Sequence, residues 1–118
     1  MRSKEFFVEQ IEKEFANACE ALNAGNDGKA RVCARRAAGQ AITWYVSKHP
    51  RTDWRQDAMS QLEGLKNDEA FPQNVRDAAL RLTAKISLTF EYPFSTNPID
   101  DAKIIIEAIT EIMETDVA

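Results

Sequence analysis

From Lys29 to Lys48 the chain runs without a proline, and this stretch is apolar on two sides at once. At about 100° per residue, Ala30, Cys33, Ala34, Ala37, Ala41 and Trp44 fall on one face of a helix, while Val32, Gly39, Ile42 and Val46 fall on roughly the opposite face. A helix with two apolar faces belongs at the centre of a bundle, because a surface helix needs only one. Its neighbours must then be helices too, or the buried backbone of the packing partners would need a sheet that the sequence does not provide. Only 4 Gly and 4 Pro punctuate the chain, whereas an all-β fold needs turn residues at every strand end.

The remaining segments supply those neighbours. A first helix from about Ser3 to Ala24 aligns Phe7, Val8, Ile11, Phe15, Ala18, Cys19 and Leu22 on one stripe. Gly25 is placed to stop it, and Gly25-Asn26-Asp27-Gly28 is a tight connection that reverses the chain. Pro50 ends the second helix, and Thr52-Asp53 predicts a cap for a third from about Trp54 to Leu65, with Trp54, Ala58, Leu62 and Leu65 inward. Pro72 suits the first turn of a fourth helix ending near Ile86, with Val75, Ala78, Ala79, Leu82 and Ile86 facing in. Ser87 to Thr96 reads as a loop or short extended segment whose Phe90, Tyr92, Pro93 and Phe94 cover the bundle. Asn97, Pro98, Asp100 and Asp101 mark the start of a last helix: a cap, a proline in the first turn, and acids at the positive end of the dipole. It runs to about Glu114 and packs Ala102, Ile105, Ile106, Ile109, Ile112 and Met113. A chain of 118 residues is one domain's worth, so residues 1–118 are expected to form a single all-α domain, an antiparallel up-and-down bundle of four to five helices.

Composition narrows the function. With 15 basic against 19 acidic residues the net charge is −4, which disfavours a general grip on DNA or RNA and leaves only local basic patches. The apolar residues after Met-Arg-Ser-Lys-Glu are broken by charge every few positions, so no secretory or membrane-spanning segment is expected and the cytoplasm is the expected location. Cys19 and Cys33 lack metal or redox spacing and read as small buried hydrophobes. With His49 the only histidine, the usual zinc and iron sites cannot be assembled in one chain, and neither a metal nor a cofactor is expected.

Three patterns resemble those of the HEPN family, compact helical bundles found in prokaryotic defence systems and beside nucleotidyltransferases. The run Ala34-Arg35-Arg36-Ala37-Ala38-Gly39-Gln40-Ala41 is similar to that family's alanine- and glutamine-rich helix. Tyr92-Pro93 precedes the final helix, and Asp101-Ala102 with Ala108 and Ile112 is similar to the start and spacing of the family's last helix. The resemblance spans about residues 5–114 and implies a helical bundle, a dimer, and an RNase or a partner protein such as a nucleotidyltransferase. Active members carry an arginine separated from a histidine by four to six residues. Here the stretch Ala41 to Trp44 before His49 holds no arginine, and Glu91 stands before Tyr92 where one branch of the family has arginine. The resemblance therefore implies a member without the RNase motif.

Candidate binding residues lie on the second helix. Arg31 and Arg35 share a face at i, i+4, with Arg36 beside them, and adjacent guanidinium groups fork readily onto phosphates. Carboxylates of the first helix are the competing partners. Arg36, Gln40, Thr43 and Ser47 form a polar stripe between the two apolar faces, suited to lining a groove or a subunit contact. Asp100 and Asp101 are read as dipole acids rather than as catalytic or metal-binding groups, and His49 as a residue suited to the negative end of its helix. Phe6, Leu80 and Ile104 fall outside their helices' inward stripes and are the candidate homodimer contacts.

The expected function is a non-catalytic HEPN-like binding or interaction module, dimeric, contacting a nucleotide or RNA phosphate or a partner protein through Arg31, Arg35, Arg36 and Gln40. The alternatives are an RNase with an atypical site using His49, and a purely structural helical scaffold.

Overall fold

The structure, a computed structural model, describes residues 3–51, 53–84 and 97–115. The described residues form five helices: α1 Lys4–Asn23, α2 Asp27–Lys48, α3 Ala58–Lys66, α4 Gln73–Thr83 and α5 Pro98–Thr115. The fold is an all-α bundle, with no strand among the described residues. The expectations for Ile86, the aromatic segment 87–96 and its Tyr92-Pro93 pair lie outside the described residues.

Local chemistry explains each boundary. Ser3 caps α1 by accepting from the Phe6 N–H. Its C-terminus closes in a Schellman turn: Gly25 takes φ +79°, Asn26 N–H donates to Ala21 O, and Gly25 N–H donates to Leu22 O. Asn26 then caps α2 through the Lys29 N–H, so the reversal between the helices is as tight as the sequence suggested. The start of α3 is a correction. It begins at Ala58, not Trp54, because the Asp57 carboxylate accepts from both the N–H and the hydroxyl of Ser60, a better cap than Asp53 provides. Trp54 stays outside the helix and lays its ring on Gly64, where a Cβ would collide with the indole.

α2 is central, as its two faces require: it packs on α1, α3 and α5. Ala30, Cys33, Ala34, Ala37, Ala41 and Trp44 are all buried. Of the second face, Gly39 and Ile42 are buried and Val46 is half-buried against the core, on the side where α3 packs. Val32, expected on that face, is 41% exposed, since among the described residues no helix packs over it. Fully buried alanines at 18, 34, 38, 41, 78, 79 and 102 let the helix backbones approach closely around Ile42, Leu62, Leu82, Ile105 and Ile109.

Contacts set the direction of each helix. Lys4, at the start of α1, pairs with Glu114, near the end of α5, so these helices run antiparallel. Arg81, near the end of α4, pairs with Asp101, in the first turn of α5, so these are antiparallel as well. The connection after His49 doubles back, placing Ala58 against Gly39 and Gln61 against Thr43, so the short α3 runs alongside α2 in the same sense.

Candidate functional site

The three arginines of α2 do not form one phosphate fork. Arg35 turns toward α4, where its Nε donates to Leu82 O at 2.6 Å and its Nη2 to Ala84 O at 3.4 Å. It thereby satisfies carbonyls that the end of α4 leaves without helical partners. Arg31 is buried, with only 9% of its surface exposed. Arg36 alone faces outward, its Nε 3.9 Å from Glu14 of α1, the type of carboxylate partner expected for this helix. The pair is partly hydrated, with the Arg36 side chain 61% exposed, so it binds weakly and is easily rearranged.

Arg36 and Gln40 are nevertheless brought together with other polar groups. Three members of the polar stripe, without Ser47, line an open cleft of about 430 Å³ between α1, α2 and α3, bordered by Glu14, Arg36, Gln40, Thr43, Gln56 and Gln61. Its floor is set by Gly39. A Cβ there would lie 3.0 Å from the Cβ of Ala58, so glycine lets α3 approach and carry Gln61 to the cleft. Thr43 Oγ1 donates to Gly39 O at 2.9 Å and accepts from Gln61 Nε2 at 2.9 Å, which fixes both side chains. The result is one guanidinium, one carboxylate, three carboxamides and one hydroxyl within one depression, a donor and acceptor set for a polar ligand. Gln56 and Gln61 come from beyond the second helix; no periodicity in the sequence connects them to Arg36.

His49 lies elsewhere. Twelve residues of α2 lie between it and Arg36, a distance of about 20 Å along the helix axis, so the two do not meet within one chain. Its ring stacks on Tyr45 at 4.6 Å between centroids, and Tyr45 packs edge-on against buried Phe71. Arg51 completes this cluster: it donates to the Tyr45 hydroxyl at 3.3 Å, pairs with Asp68 at 2.7 Å, and lies over the Trp54 ring at 5.3 Å. The hydrogen bond to Tyr45, with the nearby Asp68 charge adding to it, holds the Arg51 guanidinium above its ordinary pKa. Here the histidine adjoins an aromatic and ionic clasp that ties the end of α2 to the α3–α4 connection.

Asp101 stands in the first turn of α5 as expected, but buried. Asn97 does cap α5, accepting from the Asp100 N–H at 2.8 Å. Asp101, read as a dipole acid, has no exposed surface and accepts from Arg81 Nε at 2.9 Å, with Arg81 Nη2 at 2.9 Å from the same oxygen. The sequence places it in the first turn; only the packing of α4 onto α5 turns it inward.

Of the proposed contact residues, Phe6 and Ile104 are partly buried and pack against the core, whereas Leu80 is 49% exposed. Phe6 also meets Phe7 edge-on at 5.6 Å. Cys33 is buried, but Cys19 is only half-buried, against the expectation for both. Among the described residues no three His, Cys, Asp or Glu side chains converge as a metal site, and no helix is long and apolar enough to cross a membrane. No protein-family model, curated protein or solved structure matches this chain.

Proposed function

We propose that the chain is a non-catalytic, HEPN-like binding module of the cytoplasm that takes a nucleotide or a similar polar phosphate compound in the cleft between α1, α2 and α3. The observation that carries this reading is the convergence of Arg36 and Gln40 with Thr43, Glu14, Gln56 and Gln61 around one depression of about 430 Å³. Its size lies in the range of small-molecule sites, but its lining is polar where such sites are usually apolar, which favours a hydrophilic occupant. Arg36 has the charge for phosphate, and carboxamides have paired donor and acceptor groups for a base edge. Arg35 is engaged at the end of α4 and Arg31 is buried, which leaves Arg36 as the arginine of this helix that lines the cleft.

In this reading the module is a homodimer with Leu80 as its most accessible contact, and it works beside a partner protein such as a nucleotidyltransferase. An RNase role for His49 has less support, since its ring is stacked on Tyr45 and lies far along α2 from Arg36.

The test is titration of isotope-labelled protein with adenosine monophosphate, adenosine and inorganic phosphate, followed by amide resonances. Shifts centred on Arg36, Gln40 and Thr43 are expected with the nucleotide, weakened by Arg36→Ala and Gln40→Ala. No cleft-centred shift at millimolar nucleotide overturns the ligand assignment. Cleavage of single-stranded RNA that disappears in His49→Ala would overturn the non-catalytic reading.

A further inference from the structure

A second depression lies on a different side of the bundle. Because α1 and α5 both pack on α2 and meet each other only sparsely, a groove of about 290 Å³ opens between them. Its floor is apolar, made by Ile11, Phe15, Ala16 and Ile106, and its rim carries Glu12, Lys103 and Glu107. Past Ile106 and Glu107 the depression continues along α5 to Glu111 and Glu114. The stretch from Lys103 to Glu114 is about 16 Å long, or three helical turns.

We propose that this groove docks a basic amphipathic helix from a partner protein. A groove between two helices presents the ridge spacing that a third helix fills, with apolar anchors one turn apart entering the floor. Charge selects among possible occupants. The rim and its extension hold Glu12, Glu107, Glu111 and Glu114 against Lys103, whose ammonium is already 3.9 Å from Glu107, and Lys4, which is 3.8 Å from Glu114. Glu12 and Glu111 have no ion-pair partner among the described residues. A second copy of the chain seated groove to groove would bring acidic rims together. Nucleic acid and anionic membrane are repelled by the same carboxylates. A segment with lysine or arginine flanking two or three large apolar residues meets both features.

The probe is a fluorescein-labelled helical peptide with leucine on one face and lysine on the other, compared with the same peptide carrying glutamate for lysine. Saturable binding is expected for the lysine peptide alone, weakening as salt rises, with amide shifts at Ile11, Phe15, Ala16 and Ile106. Glu12→Lys combined with Glu111→Lys should weaken it at least about tenfold, the sum of two lost attractions and two new repulsions at exposed sites. Both glutamates are exposed, so the variant keeps the fold. Ala16→Trp, also at an exposed position, fills the groove without changing charge and should block the peptide. The proposal is overturned by absence of saturable binding, by equal binding of the glutamate peptide, by shifts mapping to another face, or by a double variant that binds like the parent. Self-association abolished by Ala16→Trp would assign the groove to a second copy instead.

Discussion

Replacing Arg81 with methionine leaves the Asp101 carboxylate, fully enclosed by the bundle, without the guanidinium that bonds it. Breaking a buried ion pair by removing one partner costs roughly 3–5 kcal/mol, because the remaining charge has lost its opposite charge. The Arg81 side chain is 23% exposed, so water partly screens the pair and the lower end, about 3 kcal/mol, is expected. Against a total stability on the order of 5–15 kcal/mol this is a large fraction, corresponding to a fall in Tm of roughly 10 °C for a chain of this size. Asp101→Asn retains the shape and removes the charge, so the two single variants and their combination form a double-mutant cycle. Urea unfolding should give a coupling of at least about 1.5 kcal/mol between the two positions. A loss below about 1 kcal/mol in Arg81→Met, or additive effects in the cycle, would show that the pair is not an enclosed, mutually dependent contact between α4 and α5.

Gly64→Ala should push Trp54 off α3 and cost about 1–3 kcal/mol, read as lower stability and a red-shifted Trp54 emission in a Trp44→Phe background. Gly39→Ala meets Ala58 at a less severe distance and should cost less. Unchanged emission and stability in Gly64→Ala would refute the seating of the ring. A thiol reagent should label half-buried Cys19 well before buried Cys33, and equal rates would contradict their different burial. Hydrogen bonds from the Ser60 N–H and then its hydroxyl hold the Asp57 carboxyl below its ordinary pKa. Its contribution is therefore present above the unfolded pKa and lost as pH falls through the folded one, below about pH 4. Asp57→Asn should flatten that acid limb in a pH series of unfolding curves, and an unaltered limb would exclude this carboxylate as a contributor.

Much of the helix plan was legible because it depends on neighbours in sequence. The stop at Gly25, the cap at Asn97 and the paired faces around Ala34 and Ala41 are local choices of φ, of capping oxygen and of helical period. The polar stripe Arg36, Gln40, Thr43 was visible for the same reason. Its role as one wall of a cleft was not, because Glu14, Gln56 and Gln61 arrive from other elements, placed by the approach of α3 at Gly39. Competition between two adjacent caps explains the start of α3: Asp53 and Asp57 have the same side chain, and Ser60 three residues after Asp57 supplies the second hydrogen bond that decides between them.

What the sequence alone determined is the helical character of the chain and the central place of α2, since an apolar face repeats along the backbone whatever surrounds it. Only the tertiary structure decided which polar side chains leave water. Arg35 and Arg36 are the same residue type, as are Asp100 and Asp101, yet Arg35 is drawn to the end of α4 and Asp101 to Arg81, while Arg36 and Asp100 remain at the surface. A charged group is buried only where another helix brings it a partner at bonding distance, and that distance is a property of packing between segments far apart in the chain.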